Sequence, residues 1–406
     1  VRINKELWRK GKMKKVLIYL NESDLAPTGG ANGYNFTLRQ GLEATGTDDF
    51  EIHYLHGKTL ATGINAQLKK KNASKTKELV LALKSMVKKG AMMYGPIHKA
   101  SVDITQYDAV HFHRTMDMYW AKDSLKNYKG KVILTLHAPT MPSKQMFSML
   151  TDFEKKYMKR FYAKLPDIDD YAINRADNII IACEEAEEPY YHEWPGYAEF
   201  HKKNKHKYVY MATGTAPKSA LVTKEEMRKK YGIPQDAFVI SYVGRHNEIK
   251  GYDALKEIGK HLLDANDSAY VFIAGTEGPL YHLEHNRWIE VGWTKDPGSV
   301  IQASDVFVLP NKETYFDLVM LEVLSLGQIV VASYTGGNKY FAKYENSGIF
   351  LYNNNTEAEN IISQIIKMSE EKRKELRKKN LELYKAEFTN EAFAKRYIYS
   401  LHKILG

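Results

Sequence analysis

Twelve short runs of β-branched and aromatic residues, separated by helix-length segments, constrain this 406-residue chain more than any other feature. VLIYL (16–20), FEIHYLH (50–56), AVHFH (109–113), VILTLH (132–137), NIIIAC (178–183) and YVYMA (208–212) form one series. FVISYVG (238–244), YVFIAG (270–275), WIEVGW (288–293), VFVLP (306–310), IVVAS (329–333) and GIFLY (348–352) form a second. Apolar runs of this length, closed by Gly, Asn, Asp or Pro and alternating with helical stretches, predict βα units and parallel sheets. The length exceeds what one hydrophobic core supports, so each series is read as its own doubly wound α/β domain. The expected boundaries are 1–213 for the first domain, 214–236 for a linker and 237–389 for the second. A C-terminal helix, 390–406, is expected to pack back on the first domain. Two such domains in tandem predict a cleft between them, with ligands at the carboxyl ends of the strands.

The net charge of +10 is local. Residues 1–15 carry +6 and residues 66–99 carry +8, so the remainder is slightly acidic. No zinc-finger, RNP or helix-turn-helix pattern accompanies the lysines, which argues against nucleic acid as a partner. The single cysteine, Cys183, excludes an internal disulfide framework and fits a reducing compartment. No apolar run approaches the ~18 residues of a membrane span, and VLIYL is too short for a signal-peptide core, so the chain is expected to be cytoplasmic.

Four places after strand ends carry chemistry. In LAPTGGANGYN (25–35), Gly29 and Gly30 precede a helix and let backbone N–H groups approach a phosphate or sugar; the bland reading is a tight turn. In YVGRHNEIKGYDAL (242–255), Arg245 and Lys250 converge before a helix, as a diphosphate clamp or as two solvated charges. In NKETYFDLVMLEVLSLG (311–327), Glu322 stands among Val319, Leu321, Val323 and Leu324, where an unpaired carboxylate is costly. It either grips paired hydroxyls or lies on the wet side of its helix. The fourth group is His111, His113 and His137, each a ligand for a hydroxyl or phosphate or a satisfied structural histidine. Their spacing gives no zinc site. The Asp-x-Asp in PDIDDY (166–171) reads as an ion-binding pair or as plain loop chemistry.

Taken in order, VGR-x4-KG, AG-x-x-G, VGW, A-x-DVFVLP, E-T-Y-F-D-L-V-x-L-E-x-L-x-x-G and VVAS-x-x-GG resemble the family 4 glycosyltransferases of GT-B architecture. The resemblance covers nearly the whole chain and is strongest over 238–340. It implies two Rossmann-like domains facing across a cleft, with the nucleotide sugar on the second and the acceptor on the first. By resemblance, Arg245 and Lys250 neutralise the donor diphosphate, and Gly244 and the backbone of Phe316, Asp317 and Leu318 meet phosphate and sugar. Glu322 accepts the ribose hydroxyls, Gly30 lies against the donor phosphate from the other domain, and His137 faces the transferred sugar.

One departure stands out. The family places two glutamates with seven residues between them, whereas eight separate Glu313 from Glu322, and ungapped alignment puts Thr314 at the first position. Either a one-residue bulge restores Glu313 to the sugar, or Thr314 takes a different part.

The resemblance implies transfer from a nucleotide sugar, UDP being the expected nucleotide, to an acceptor hydroxyl with retention of configuration. The leaving phosphate would help deprotonate the acceptor, and no metal or other cofactor is expected. The competing readings are a non-catalytic glycan-binding or enzyme-activating subunit and a nucleotide-sugar epimerase. The acceptor is left open among glycan, lipid-linked and protein classes. Segment 78–93 places Leu79, Leu83, Met86 and Val87 on one helical face beside Lys84, Lys88 and Lys89, which suits an anionic membrane surface or an ordinary packed helix.

Overall fold

All twelve runs become strands, in two six-stranded sheets. The first contains β1 (Lys14–Tyr19), β2 (Phe50–Tyr54), β3 (Ala109–Phe112), β4 (Lys131–Thr135), β5 (Asn178–Ile181) and β6 (Tyr208–Tyr210), in the order β2-β1-β3-β4-β5-β6. The second contains β7 (Phe238–Val243), β8 (Ala269–Ala274), β9 (Trp288–Gly292), β10 (Val306–Leu309), β11 (Val330–Ser333) and β12 (Ile349–Tyr352), in the order β12-β11-β10-β7-β8-β9. Within the second sheet every neighbouring pair runs parallel. This is a computed structural model, and it describes residues 13–22, 24–27, 30–47, 49–55, 86–87, 90, 93–138, 140–148, 150 and 152–406. Gly29, residues 1–12 and most of 66–99, with Lys84, Lys88 and Lys89, lie outside the described residues. Among the described residues no helix is long and apolar enough to cross a membrane.

Alternation along each strand explains the layering. Ile240, Val271, Val306 and Val331 face a core shared with Leu255, Ile258 and Leu262 of the helix Tyr252–Ala265 and Ile362 of the helix Asn355–Lys367. Val239 and Phe272 point the other way, against Met227, Ile233 and Val300. Successive strand residues alternate faces, so both faces are apolar only if helices cover both.

The chain forms two compact units: the described parts of Val1–Ile181 with Ala198–Val209 and Ala394–Gly406, and Ala182–Tyr197 with Tyr210–Phe393. The division therefore differs from the expected boundaries of 1–213 and 237–389, since Ala182–Tyr197 and the chain from Tyr210 to Phe393 group with the second unit. Residues 214–236 belong to the second unit, where Thr215 bridges Thr389 and Tyr384 Oη donates to the Thr215 carbonyl at 2.7 Å. Most of the C-terminal helix, from Ala394 on, belongs to the first unit, where Tyr397 meets His111.

A buried ionic knot ties the helix Lys224–Lys230 to the second sheet. Arg228 is 1% exposed and donates to the carbonyls of Ala303, Gln235 and Ala237 and to Asp305. The Asp305 carboxylate also accepts from Val239 N–H, Lys224 and Arg377. Burial alone would raise the Asp305 carboxyl, but Lys224 and Arg228 and the hydrogen bonds hold it below the ordinary carboxylate value. A carboxyl depressed in the folded state stabilises the protein above its unfolded pKa, near 4, and that contribution disappears as pH falls through the folded value. The urea midpoint of the second unit is expected to drop below about pH 4, and less steeply in Asp305→Asn. Equal slopes in the two proteins would refute this.

Candidate functional site

Strand order locates the sites. Each sheet reverses its winding once, between β1 and β3 in the first and between β7 and β10 in the second, and in open α/β sheets ligands bind beyond the carboxyl ends of the strands at such a reversal. The second reversal is flanked by the loop after β7, holding Gly244, Arg245 and Lys250, and the loop after β10, holding Asn311, Glu313, Thr314, Phe316 and Asp317. The two loops touch. Gly251 adopts φ +67 at the start of the helix Tyr252–Ala265, and a Cβ there would lie 1.7 Å from the Pro310 carbonyl oxygen, so no larger residue fits.

Arg245 is exposed, and among the described residues nothing pairs with it. Lys250 has a partner that the sequence reading did not supply: its Nζ lies 2.7 Å from Asp317 Oδ2, which also accepts from Asn311 Nδ2 at 2.7 Å. Asp317 Oδ1 caps the helix Leu318–Ser325 by accepting from Val319 N–H. Burial pushes this carboxyl up, but Lys250, Asn311 and the Val319 N–H together hold it below its ordinary value. Lys250 is thus held by its ion pair with Asp317, whereas no described residue pairs with the Arg245 side chain. The capping role was legible, since an Asp directly before an apolar helix is an N-cap signal; the ion pair across 67 residues was not.

Glu322 is 21% exposed on its side chain and pairs with Lys218 Nζ at 3.1 Å. Burial raises its carboxyl above the ordinary value, with Lys218 opposing. Two carboxylates of one helix are therefore tuned oppositely, Asp317 at its N-cap toward permanent charge and Glu322 within it toward a hydrogen-bonding group whose charge is costly. Glu313 is half-buried, and no described residue bonds it. Thr314 is 5% exposed, and its carbonyl accepts from Gly337 N–H at 3.2 Å. Phe316 stacks on Phe341 at 5.7 Å, so the backbone from 314 to 316 is clamped. Leu318 opens the helix, while the Gly244 N–H is already committed to the Ala274 carbonyl at 2.9 Å.

In the first unit Gly30 (φ +71) opens the helix Gly30–Thr45, and with His113, Arg114 and His137 it lines a cavity of about 860 Å³. Met116, Trp120, Met146, Leu165 and Ile168 contribute apolar lining to the same cavity. The three histidines separate into two classes. His111 is fully buried with both ring nitrogens occupied, by Tyr397 Oη at 2.9 Å and Thr135 Oγ1 at 2.7 Å, and is structural. His113 Nδ1 lies 3.0 Å from His137 Nε2, and His137 is half-buried at the cavity. Burial holds His137 down at about 3, with Arg114 adding to the effect, so both rings are neutral at physiological pH. The Asp-x-Asp does not form a pair. Asp167 is exposed, whereas Asp169 is buried and accepts from Thr115 Oγ1 and Ser143 N–H, because residues two apart on the helix Leu165–Arg175 face different ways.

Residues 223–382 match the family described as Glycosyl transferases group 1. Over this stretch the chain is similar to that family, and the stretch holds the motif run from Gly244 to Gly337. A curated relative, the UDP-Gal:alpha-D-GlcNAc-diphosphoundecaprenol alpha-1,3-galactosyltransferase of Escherichia coli, is 27% identical over 173 residues, which is 39% of this chain and 44% of the relative. The chain thus spans less than half the length of that relative. Among solved structures, the catalytic domain of starch synthase IV from Arabidopsis thaliana, bound to ADP and acarbose, aligns with a TM-score of 0.65 at 14% identity. That alignment covers 97% of this chain and 100% of the other. Anabaena HepE in complex with UDP-glucose aligns with a TM-score of 0.58 at 13% identity, covering 96% and 99%. At these identities the likeness is one of fold, two Rossmann-like α/β domains of the GT-B type.

Proposed function

We propose that this chain moves a hexosyl group from a nucleoside diphosphate sugar to an acceptor hydroxyl with retention of configuration. The observation that carries the reading is the meeting, at the β7/β10 reversal, of Arg245, the Lys250–Asp317 pair and the helix bearing Glu322. A diphosphate needs cations at its leaving oxygens, and Arg245 and Lys250 supply positive charge there without a metal. Glu322 accepts from the ribose hydroxyls, releasing Lys218. The partly apolar cavity of the first unit takes the acceptor, a glycan or a lipid-linked sugar. UDP is the favoured nucleotide, supported by the names of the relative and the HepE complex.

The test is a panel of UDP-, ADP- and GDP-sugars, scored by thermal shift and hydrolysis, followed by transfer with the best donor in the presence of a chelator. The reading expects UDP-sugar turnover that survives EDTA and a product whose anomeric proton coupling matches that of the donor. Inverted product or loss of activity with EDTA would remove those parts of the reading. Binding of donor with neither hydrolysis nor transfer would favour a binding subunit, and isomerisation without acceptor an epimerase.

Glu322→Gln separates binding from stability. Because burial makes the charge on Glu322 costly, removing it is expected to change stability by under about 1 kcal/mol, while donor KM rises about tenfold or more with the loss of a charged hydrogen bond. Unchanged KM would show that Glu322 does not hold the donor. Glu313→Ala and Thr314→Val, assayed side by side, identify the residue that meets the sugar, the larger loss of kcat marking it.

A further inference from the structure

We infer that His113 fixes the tautomer of His137, so that His137 meets its ligand as an N–H donor through Nδ1 and does not act as a base. The kinetic consequence rests on the transferase reading; the tautomer itself does not.

A neutral imidazole carries one N–H. Across the 3.0 Å contact between His113 Nδ1 and His137 Nε2, one nitrogen donates and the other accepts. The choice is made at the far side of His113. Its Nε2 is buried and has no hydrogen-bond partner. If the proton sat on Nε2, a buried N–H would be orphaned, and unpaired donors are rarer in proteins than under-satisfied acceptors. With the proton on Nδ1, His113 donates to His137 Nε2 and leaves only a lone pair unpaired. Accepting at Nε2, neutral His137 keeps its own proton on Nδ1, and no described residue bonds that nitrogen.

The surroundings keep the arrangement in place. His113 stacks on His137 with ring centroids 5.3 Å apart and planes at 23°, and the Tyr34 ring meets His137 in a T-shaped contact at 4.8 Å. The His111 ring lies 4.1 Å from the His113 ring and is itself fixed by Tyr397 and Thr135. Protonation does not blur the choice, because burial and the neighbouring His111, His137 and Arg114 hold His113 neutral. A ligand group at His137 is therefore an oxygen with a free lone pair, such as a sugar hydroxyl acting as acceptor, and the acceptor's proton must leave by another route.

Long-range nitrogen–proton spectra of the full chain with labelled histidine read the tautomer directly, His137 being assigned by its disappearance in His137→Gln. The expected spectrum shows Nδ1–H with a hydrogen-bonded, unprotonated Nε2. An Nε2–H pattern for His137 in the wild-type chain overturns the inference. His113→Leu is expected to mix the two tautomers and lower kcat/KM about tenfold, the scale of losing one hydrogen bond that orients the ring. His113→Asn, whose amide N–H replaces Nδ1–H, should recover most of that loss. A single unchanged tautomer in His113→Leu would also overturn it. A chain that gives the expected spectrum yet transfers no sugar refutes the transferase reading and leaves the tautomer assignment standing.

Discussion

Arg245→Ala is expected to lower kcat/KM for sugar transfer by about 10²–10³-fold while leaving thermal stability unchanged, because one preorganised charge at a leaving group is worth roughly 3–4 kcal/mol of barrier. The separation of effects follows from the geometry. Arg245 is exposed and no described residue pairs with it, so its removal breaks nothing in the fold. Lys250→Ala is a different experiment, since it strips the cation from Asp317, a buried carboxylate 2.7 Å away, and mixes lost stability with lost catalysis. Arg245→Lys should recover only part of the activity, because a point charge does not reproduce the guanidinium fork. An Arg245→Ala enzyme within threefold of wild type would show that the diphosphate is held elsewhere.

Arg228→Met is expected to destabilise the second unit by about 3–5 kcal/mol, the cost of breaking a buried ion pair from one side. Arg228 is 1% exposed and satisfies three carbonyls at 2.8–2.9 Å besides Asp305. Methionine fills much of the volume but donates nothing, so those carbonyls remain buried without donors. Lys224 and Arg377 still face Asp305, which limits the damage to its charge. At ~2–4 °C per kcal/mol for a unit of this size, Tm should fall by about 10 °C, and a denaturant midpoint confirms the value. A loss below about 1 kcal/mol would mean that the knot is not a source of stability. Since it lies behind the helix Lys224–Lys230 and away from Arg245, donor KM measured well below the melting transition should be unaffected.

What could be read from the sequence followed from local periodicity. Twelve apolar runs with helix-length spacers allow little besides two parallel sheets, since parallel neighbours need long crossovers and both faces must be covered. The chemical loops were legible for the same reason. A ligand loop in such a fold follows a strand, so Arg245 and Lys250 could be named from their distance to a strand end, Glu322 from its apolar neighbours on a helix, and Thr314 only from the family resemblance. Pairings across sequence were decided by the tertiary structure alone. The contacts of Lys250 with Asp317, Lys218 with Glu322, His113 with His137 and Arg228 with Asp305 span 24 to 104 residues. No periodicity encodes them, because they depend on which strands become neighbours and in what register. They also decide function. The sequence showed which residues carry charge, and the packing determined which charges are already spent, which carboxyl is tuned up or down, and on which nitrogen a histidine keeps its proton.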